Sequence, residues 1–207
     1  MNGWKSRLKR VGIVGGTGYT GIELLRMLAS HRGVEVSCLT SRSEAGRSVA
    51  SLYPWLSHYG SLRFDDHSID ALSACDLVFY ATPNKIAMNE ASSFLDRNVR
   101  IIDLAADFRF SERSLWESVY GGPHGAPQLT QEAVYGLPEK YRTEIAGARL
   151  VGNPGCYPTA TALALMPLVE ARVLSSSHVI VDGKSGASGA GRSARADLIL
   201  AEASDNF

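Results

Sequence analysis

The chain has 207 residues, equal numbers of basic and acidic side chains (21 of each) and 45% hydrophobic residues. These are proportions that support a sizeable core in one large or two small domains. A formal charge of zero gives no electrostatic case for nucleic acid or an anionic membrane as partner, and no apolar run reaches the length of a bilayer span.

Cys38, Cys75 and Cys156 are odd in number and far apart. That fits neither a disulfide framework nor a metal-ligand cluster, and it points to a reducing cytoplasm with no metal site. The basic start, residues 1–10, leads into a strand and not into the apolar core of a signal peptide.

Residues 11–14 are a short β-rich run ending at Gly15-Gly16-Thr17-Gly18-Tyr19-Thr20-Gly21. The apolar spacing of Ile22, Leu25, Leu28 and Ala29 predicts a helix, with Gly33 as its C-cap. Residues 34–39 read as the second strand. A glycine loop between strand and helix is the setting in which bare backbone lets a pyrophosphate approach a helix N-terminus. At the end of the second strand, where NAD-preferring folds carry an acid, the chain reads Thr40-Ser41-Arg42-Ser43, with no acid before Glu44. Hydroxyls beside an arginine suit a 2′-phosphate. Arg42 alone would equally suit a solvated loop; coupled to the glycine loop it favours NADP(H).

Residues 46–68 read as irregular, with His58 and His67 as surface residues. The apolar run within residues 76–82 is a strand covered on both faces. It ends at Pro83-Asn84, beyond the carboxyl end of a strand, where open parallel sheets bind ligands. A helix over 85–97 and a strand over 99–104 continue the alternation. The fold class is therefore α/β, with a doubly wound, mostly parallel sheet. Arg109, just past the fourth strand, suits either a phosphate or carboxylate clamp or an ion pair with Asp103 or Asp107. Residues 111–145, rich in Gly, Pro and aromatic residues, read as a long binding loop or lid.

After the apolar pair Leu150-Val151 comes Asn153-Pro154-Gly155-Cys156-Tyr157-Pro158-Thr159, then a helix-forming run over 159–171 in which Pro167 predicts a kink. This puts Cys156 at a strand-to-helix turn, where free N–H groups and the helix dipole favour a thiolate. A buried small hydrophobe is the competing reading. A further strand is predicted over 178–182. Residues 184–192, bracketed by Lys184 and Arg192, read either as a flexible linker or as a small-residue loop for an anionic ligand. Residues 194–203 read as helical.

Taken together, these motifs resemble the N-acetyl-gamma-glutamyl-phosphate reductase family. The matching segments are Gly15 to Gly21 with Glu23-Leu24-Leu25, Leu39-Thr40-Ser41-Arg42, Ala81-Thr82-Pro83-Asn84, Asp103 to Arg109, Tyr135-Gly136-Leu137-Pro138-Glu139, Asn153 to Thr159 and Lys184 to Arg192. The resemblance implies a Rossmann-type NADP-binding domain over 1–155, followed by the beginning of an α+β catalytic and dimerisation domain over 156–207. It implies NADPH-dependent reduction of an acyl phosphate, N-acetylglutamyl phosphate, with Cys156 as nucleophile. Cofactor contacts fall on Gly15, Thr17, Gly18, Tyr19, Thr20, Gly21, Ser41, Arg42, Pro83, Ser188 and Gly189, and substrate contacts on Arg109, Asn153, Lys184 and Arg192.

Family members are longer and place a catalytic histidine in a part that none of His31, His58, His67, His124 or His178 matches. The resemblance therefore implies a partial enzyme, and a homo-oligomer for the full-length family but not for this chain. The alternatives are a related acyl-phosphate reductase, such as aspartate-semialdehyde dehydrogenase, or a nucleotide-binding module without turnover.

Overall fold

The computed structural model describes residues 7–174 and 178–193. The chain divides into two compact units, Met1–Gly155 and Cys156–Phe207. The first is built on β1 (Lys9–Val14), β2 (Val34–Thr40), β3 (Leu77–Tyr80), β4 (Arg100–Asp103), β5 (Val134–Tyr135) and β6 (Leu150–Gly152). They form one sheet in the order β2-β1-β3-β4-β6-β5, and each neighbouring pair runs parallel.

Parallel neighbours need crossovers. These are supplied by α1 (Tyr19–Leu28), α2 (Val49–Leu52), α3 (Ile69–Leu72), α4 (Ala87–Leu95), α5 (Arg113–Tyr120) and α6 (Pro138–Gly147). Strand periodicity separates the core into two layers. Val11 and Ile13 of β1 pack with Leu25 of α1, Leu39 and Phe64. Val78 and Tyr80 of β3 pack with Ala91 and Phe94 of α4 and with Trp116 of α5.

Several sequence expectations need correction. Residues 111–145 are not one long loop: they hold α5, a 3-10 turn at Pro127–Leu129, β5 and the start of α6. The punctuating residues are caps. Gly121, at φ +71, ends α5, and Pro138 opens α6, where its missing N–H costs no hydrogen bond. The supposedly irregular 46–68 stretch contains α2 and a 3-10 segment, Pro54–Tyr59, which bury Tyr53, Leu56 and Tyr59. Gly33 is not the cap of α1, which ends at Leu28 with Ala29 in the αR region.

In the second unit, α7 (Cys156–Glu170) begins three residues earlier than expected and carries Pro167 inside it. Residues 178–182 are not a strand; Ile180 is 96% exposed there. An apolar β-rich run becomes a strand only against a paired neighbour, and this run has none among the described residues. The helix expected over 194–203 lies outside the described residues.

Candidate active site

The sheet order reverses at β1, with β2 on one side and β3 on the other. Ligands of open parallel sheets bind at such a switch point, beyond the carboxyl ends of the strands. A cleft of about 320 Å³ opens there, walled by Gly15, Thr17 and Gly18, by Ser41 and Arg42 at the end of β2, and by Thr82 and Pro83 at the end of β3.

The loop is tight for a packing reason. Gly15 has φ +84, and a Cβ on it would stand 2.4 Å from the Ala81 carbonyl oxygen. Gly18 differs: a Cβ there would meet protein atoms only at 3.6 Å or more, so protein packing does not demand its bare backbone. It leaves open a cradle at the start of α1, whose N-cap residue Gly18 offers no side chain and whose first turn holds no acid. Tyr19, Thr20 and Gly21 form that first turn. Their unsatisfied N–H groups and the helix dipole suit a phosphate.

The end of β2 is fastened to this loop. The Gly16 N–H donates to the Thr40 carbonyl (3.0 Å), and the Thr17 and Ser41 hydroxyls share a hydrogen bond of 3.0 Å. Arg42 is exposed and makes no hydrogen bond or ion pair among the described residues. The nearby acid, Glu44, accepts from Arg47 at 2.8 Å. The cleft mouth therefore offers an uncommitted guanidinium.

A second piece of machinery follows β4. The Asp103 carboxyl accepts from the N–H groups of Ala105 (3.0 Å) and Asp107 (2.9 Å). Burial, followed by the neighbouring Asp107 carboxylate, pushes its pKa up to about 7, and three backbone N–H groups oppose that rise. Asp107 in turn accepts from the N–H groups of Lys85 (2.7 Å) and Met88 (3.1 Å), holding Lys85 at φ +72.

The carbonyls of this loop are also taken. The Trp116 indole donates to Ala106 (2.8 Å), and His124 Nε2 lies 2.7 Å from the Asp107 carbonyl. A carbonyl can only accept, so Nε2 carries the proton, and Nδ1 accepts from the Ala126 N–H at 3.0 Å. His124 is buried and committed to structure.

This platform aims the turn that follows β6. Gly152 lies so close to it that a Cβ would stand 2.0 Å from the Phe108 carbonyl oxygen. The Asn153 N–H donates to the Asp103 carbonyl (2.8 Å), and Arg109 donates from Nε to the Asn153 carbonyl (2.8 Å) and from Nη2 to that of Leu104 (3.3 Å). The ion pairs weighed for Arg109 are not formed; both aspartates are occupied with backbone N–H groups. Asp103, Asp107, Trp116 and His124 were not identified as site-building residues from sequence. The two aspartates of the 103–107 loop, on either side of three apolar residues, are the signal that was available.

In the second unit, Cys156 is the first residue of α7 and is exposed, whereas Cys38 and Cys75 are buried. Burial pushes the Cys38 thiol up to about 11 and also raises that of Cys75, which leaves both unreactive at neutral pH. Cys156 lines a cavity of about 680 Å³ together with Lys184, Ser188 and Gly189. The Lys184 ammonium pairs with Asp182. Arg192 is exposed and is not part of that cavity's wall. No group of three or more His, Cys, Asp or Glu residues suited to a metal occurs among the described residues, and no described helix is long and apolar enough to cross a membrane.

Comparison with known proteins agrees with this arrangement. Residues 10–148 match the family model of the semialdehyde dehydrogenase NAD binding domain, and residues 156–207 that of the semialdehyde dehydrogenase dimerisation domain. The chain is 54% identical over 198 residues to the N-acetyl-gamma-glutamyl-phosphate reductase of Nitrosospira multiformis, covering 96% of this chain and 58% of the relative. It is equally 54% identical over 199 residues to that of Pseudomonas aeruginosa, with the same coverage. The chain thus spans less than two thirds of the length of these relatives.

Among solved structures, aspartate semialdehyde dehydrogenase II of Vibrio cholerae superposes with a TM-score of 0.58 at 17% identity, over 80% of this chain and 44% of that one. The Candida albicans enzyme with NADP gives 0.55 at 17%, over 79% and 47%. These two likenesses establish the fold. The chain belongs to the semialdehyde dehydrogenase family, and within that family its sequence similarity is to N-acetyl-gamma-glutamyl-phosphate reductases.

Proposed function

We propose that the protein acts in the NADPH-dependent reduction of N-acetyl-L-glutamyl 5-phosphate to N-acetyl-L-glutamate 5-semialdehyde and phosphate, a step of arginine biosynthesis, through a thioester on Cys156. The observation that carries the reading is Cys156 itself. It is the exposed thiol of the three, at the first residue of α7, in a cavity with Lys184, Ser188 and Gly189.

The residues of the β1/β3 cleft fit NADP(H). The open cradle at Gly18 and the first turn of α1, formed by Tyr19, Thr20 and Gly21, accept a pyrophosphate. Gly15, Thr17 and Pro83 wall the cleft, and Ser41 with the uncommitted Arg42 suits a 2′-phosphate. Bound there, the cofactor supplies the hydride that reduces the acyl group.

The chain's own groups do the rest. Cys156 Sγ bonds to the acyl carbon as the bond from that carbon to the phosphate oxygen breaks, and a thiol suits this because its acyl ester stays reactive. Backbone N–H groups around Cys156 are assigned to stabilise the tetrahedral oxyanion. Arg109 and Asn153 are assigned to the substrate's anionic end. Lys184 and Arg192 are assigned to a second anionic group. Ser188 and Gly189 are assigned to the nicotinamide side.

The dimerisation-domain match over 156–207 supports a homo-oligomer for the whole protein. Three unpaired thiols fit the cytoplasm.

The test compares phosphate-dependent oxidation of N-acetylglutamate semialdehyde and aspartate semialdehyde. It uses the 207-residue chain and the same chain joined to the remaining portion of the Nitrosospira multiformis relative. The joined protein is expected to prefer N-acetylglutamate semialdehyde by at least ~100-fold, since mismatched polar groups in a site cost that much or more. Preference for aspartate semialdehyde would overturn the substrate assignment.

A further inference from the structure

The cleft at the β1/β3 switch point has two polar walls that the cofactor reading above leaves unused: His67 and Glu90. The His67 segment is fastened along the outer edge of β2. Asp65 bridges Thr40, its N–H donates to the Leu39 carbonyl (2.8 Å), and its carbonyl accepts from the Ser41 N–H (3.1 Å). Glu90 instead belongs to α4, which follows β3. The contact between His67 Nε2 and Glu90 Oε1, 2.9 Å long, therefore reaches from the β2 side of the cleft to the β3 side, across the position of β1.

Glu90 is held from behind. The Tyr80 hydroxyl, on a fully buried ring of β3, donates to Glu90 Oε2 at 2.5 Å. Burial, then the hydrogen bond to Glu90, raises the Tyr80 phenol well above its ordinary value, so it remains a donor. The contacts on both carboxylate oxygens hold the Glu90 carboxyl in place at the wall of a cleft otherwise suited to phosphates. Of the charged and titratable groups, Glu90 on α4 touches the ring, Tyr80 on β3 touches Glu90, and Asp65 and Asp66 precede His67 on its own segment. Arg42 shares the cleft wall with the pair.

We propose that His67 and Glu90 are specificity-determining residues for the phosphorylated cofactor, acting as a pair whose net charge sets how well Arg42 is felt by the 2′-phosphate. With His67 protonated, the pair is neutral and Arg42 dominates the cleft. With His67 neutral, the Glu90 charge is uncompensated and opposes the phosphate. Losing the imidazolium charge therefore lowers the preference for NADPH over NADH. This rests on the NADP(H) reading of the cleft.

The experiment measures Kd for NADPH and for NADH with the 207-residue chain between pH 5.5 and 8.5, for the wild type, His67→Gln and Glu90→Gln. Relative to His67→Gln at the same pH, the wild type's NADPH preference is about five- to tenfold larger at pH 5.5 than at pH 8.5, the scale of one unit charge acting across a partly wet cleft. His67→Gln shows a low preference at every pH, following only the ionisation of the 2′-phosphate, because Glu90 then stays uncompensated. Glu90→Gln, whose amide oxygen still accepts from Tyr80, has the higher preference at pH 8.5.

The second ionisation of the 2′-phosphate, near pH 6, acts on all three proteins alike, so the differences between them are the readout. A pH profile in His67→Gln that matches the wild type would overturn the proposal. If that variant binds neither nucleotide, a preference in Glu90→Gln at pH 8.5 no higher than the wild type's overturns it. NADPH preferred by none of the proteins at any pH would instead show that the cofactor reading itself is wrong.

Discussion

Arg42 is a cation at the mouth of the β1/β3 cleft with no partner among the described residues, and its neighbouring acid is already occupied by Arg47. A guanidinium in that state keeps its full capacity for charge-assisted bonds, each worth about 1.5–3 kcal/mol. Arg42→Ala should therefore weaken NADPH binding by roughly ten- to a hundredfold while changing NADH affinity little, as read by titrating both nucleotides. Equal losses for the two would place Arg42 outside phosphate recognition.

The residues legible in the sequence are of this local kind. Gly15 and Gly18 sit in a strand–loop–helix context that needs little side-chain bulk, and Cys156 follows a Pro-Gly turn into a helix. Asp103, Asp107, Trp116 and His124 were not legible. Their roles depend on partners brought together by the fold, as when the indole of α5 reaches the carbonyl of Ala106.

At the scale of elements, the loop after β4 orients the turn after β6. Asp103 is its pivot, and burial raises its carboxyl to about 7, against about 3.9 in an unfolded chain. Between those values the native state keeps a proton that the unfolded state loses, so this group makes stability fall as pH rises from about 4 to about 7, with no further change above. Asp103→Asn should start below the wild type at pH 4, because one amide oxygen must serve two N–H groups. It should then gain on the wild type up to pH 7, by at most about 1.4 kcal/mol per pKa unit of difference. Thermal melts across that range decide the matter, and a constant gap would contradict the assigned shift.

Gly152 tests the same coupling sterically. Its missing Cβ leaves room for the Phe108 carbonyl, and Gly152→Ala should lower Tm by about 5–10 °C. A melt within 1 °C of the wild type would show that β6 and the loop are less tightly joined. The 111–145 segment was misread at this scale because Gly121 and Pro138 are punctuation in either reading. They break a loop or cap a helix, and only the burial of Trp116 against the sheet decides which.

For the molecule as a whole, a unit that matches an NAD binding domain is followed by a unit that opens with an exposed thiol. Reduction of an acyl phosphate needs both a place for the dinucleotide and a thiol that carries the acyl group between the loss of phosphate and the arrival of hydride. The alternation of strands and helices made the first unit legible. In the second, the place of Cys156 at the start of a helix was legible; residues 178–182 were not, because they have strand-like composition with no strand beside them among the described residues.

The most direct measurement is peptide-mapped mass spectrometry of the chain after exposure to N-acetylglutamyl phosphate without nucleotide. The expected result is one acyl adduct on Cys156, released by hydroxylamine and absent from Cys156→Ala, with Cys38 and Cys75 unmodified. Undiminished adduct in Cys156→Ala, or equal labelling of all three thiols, would contradict the assignment of Cys156 as nucleophile.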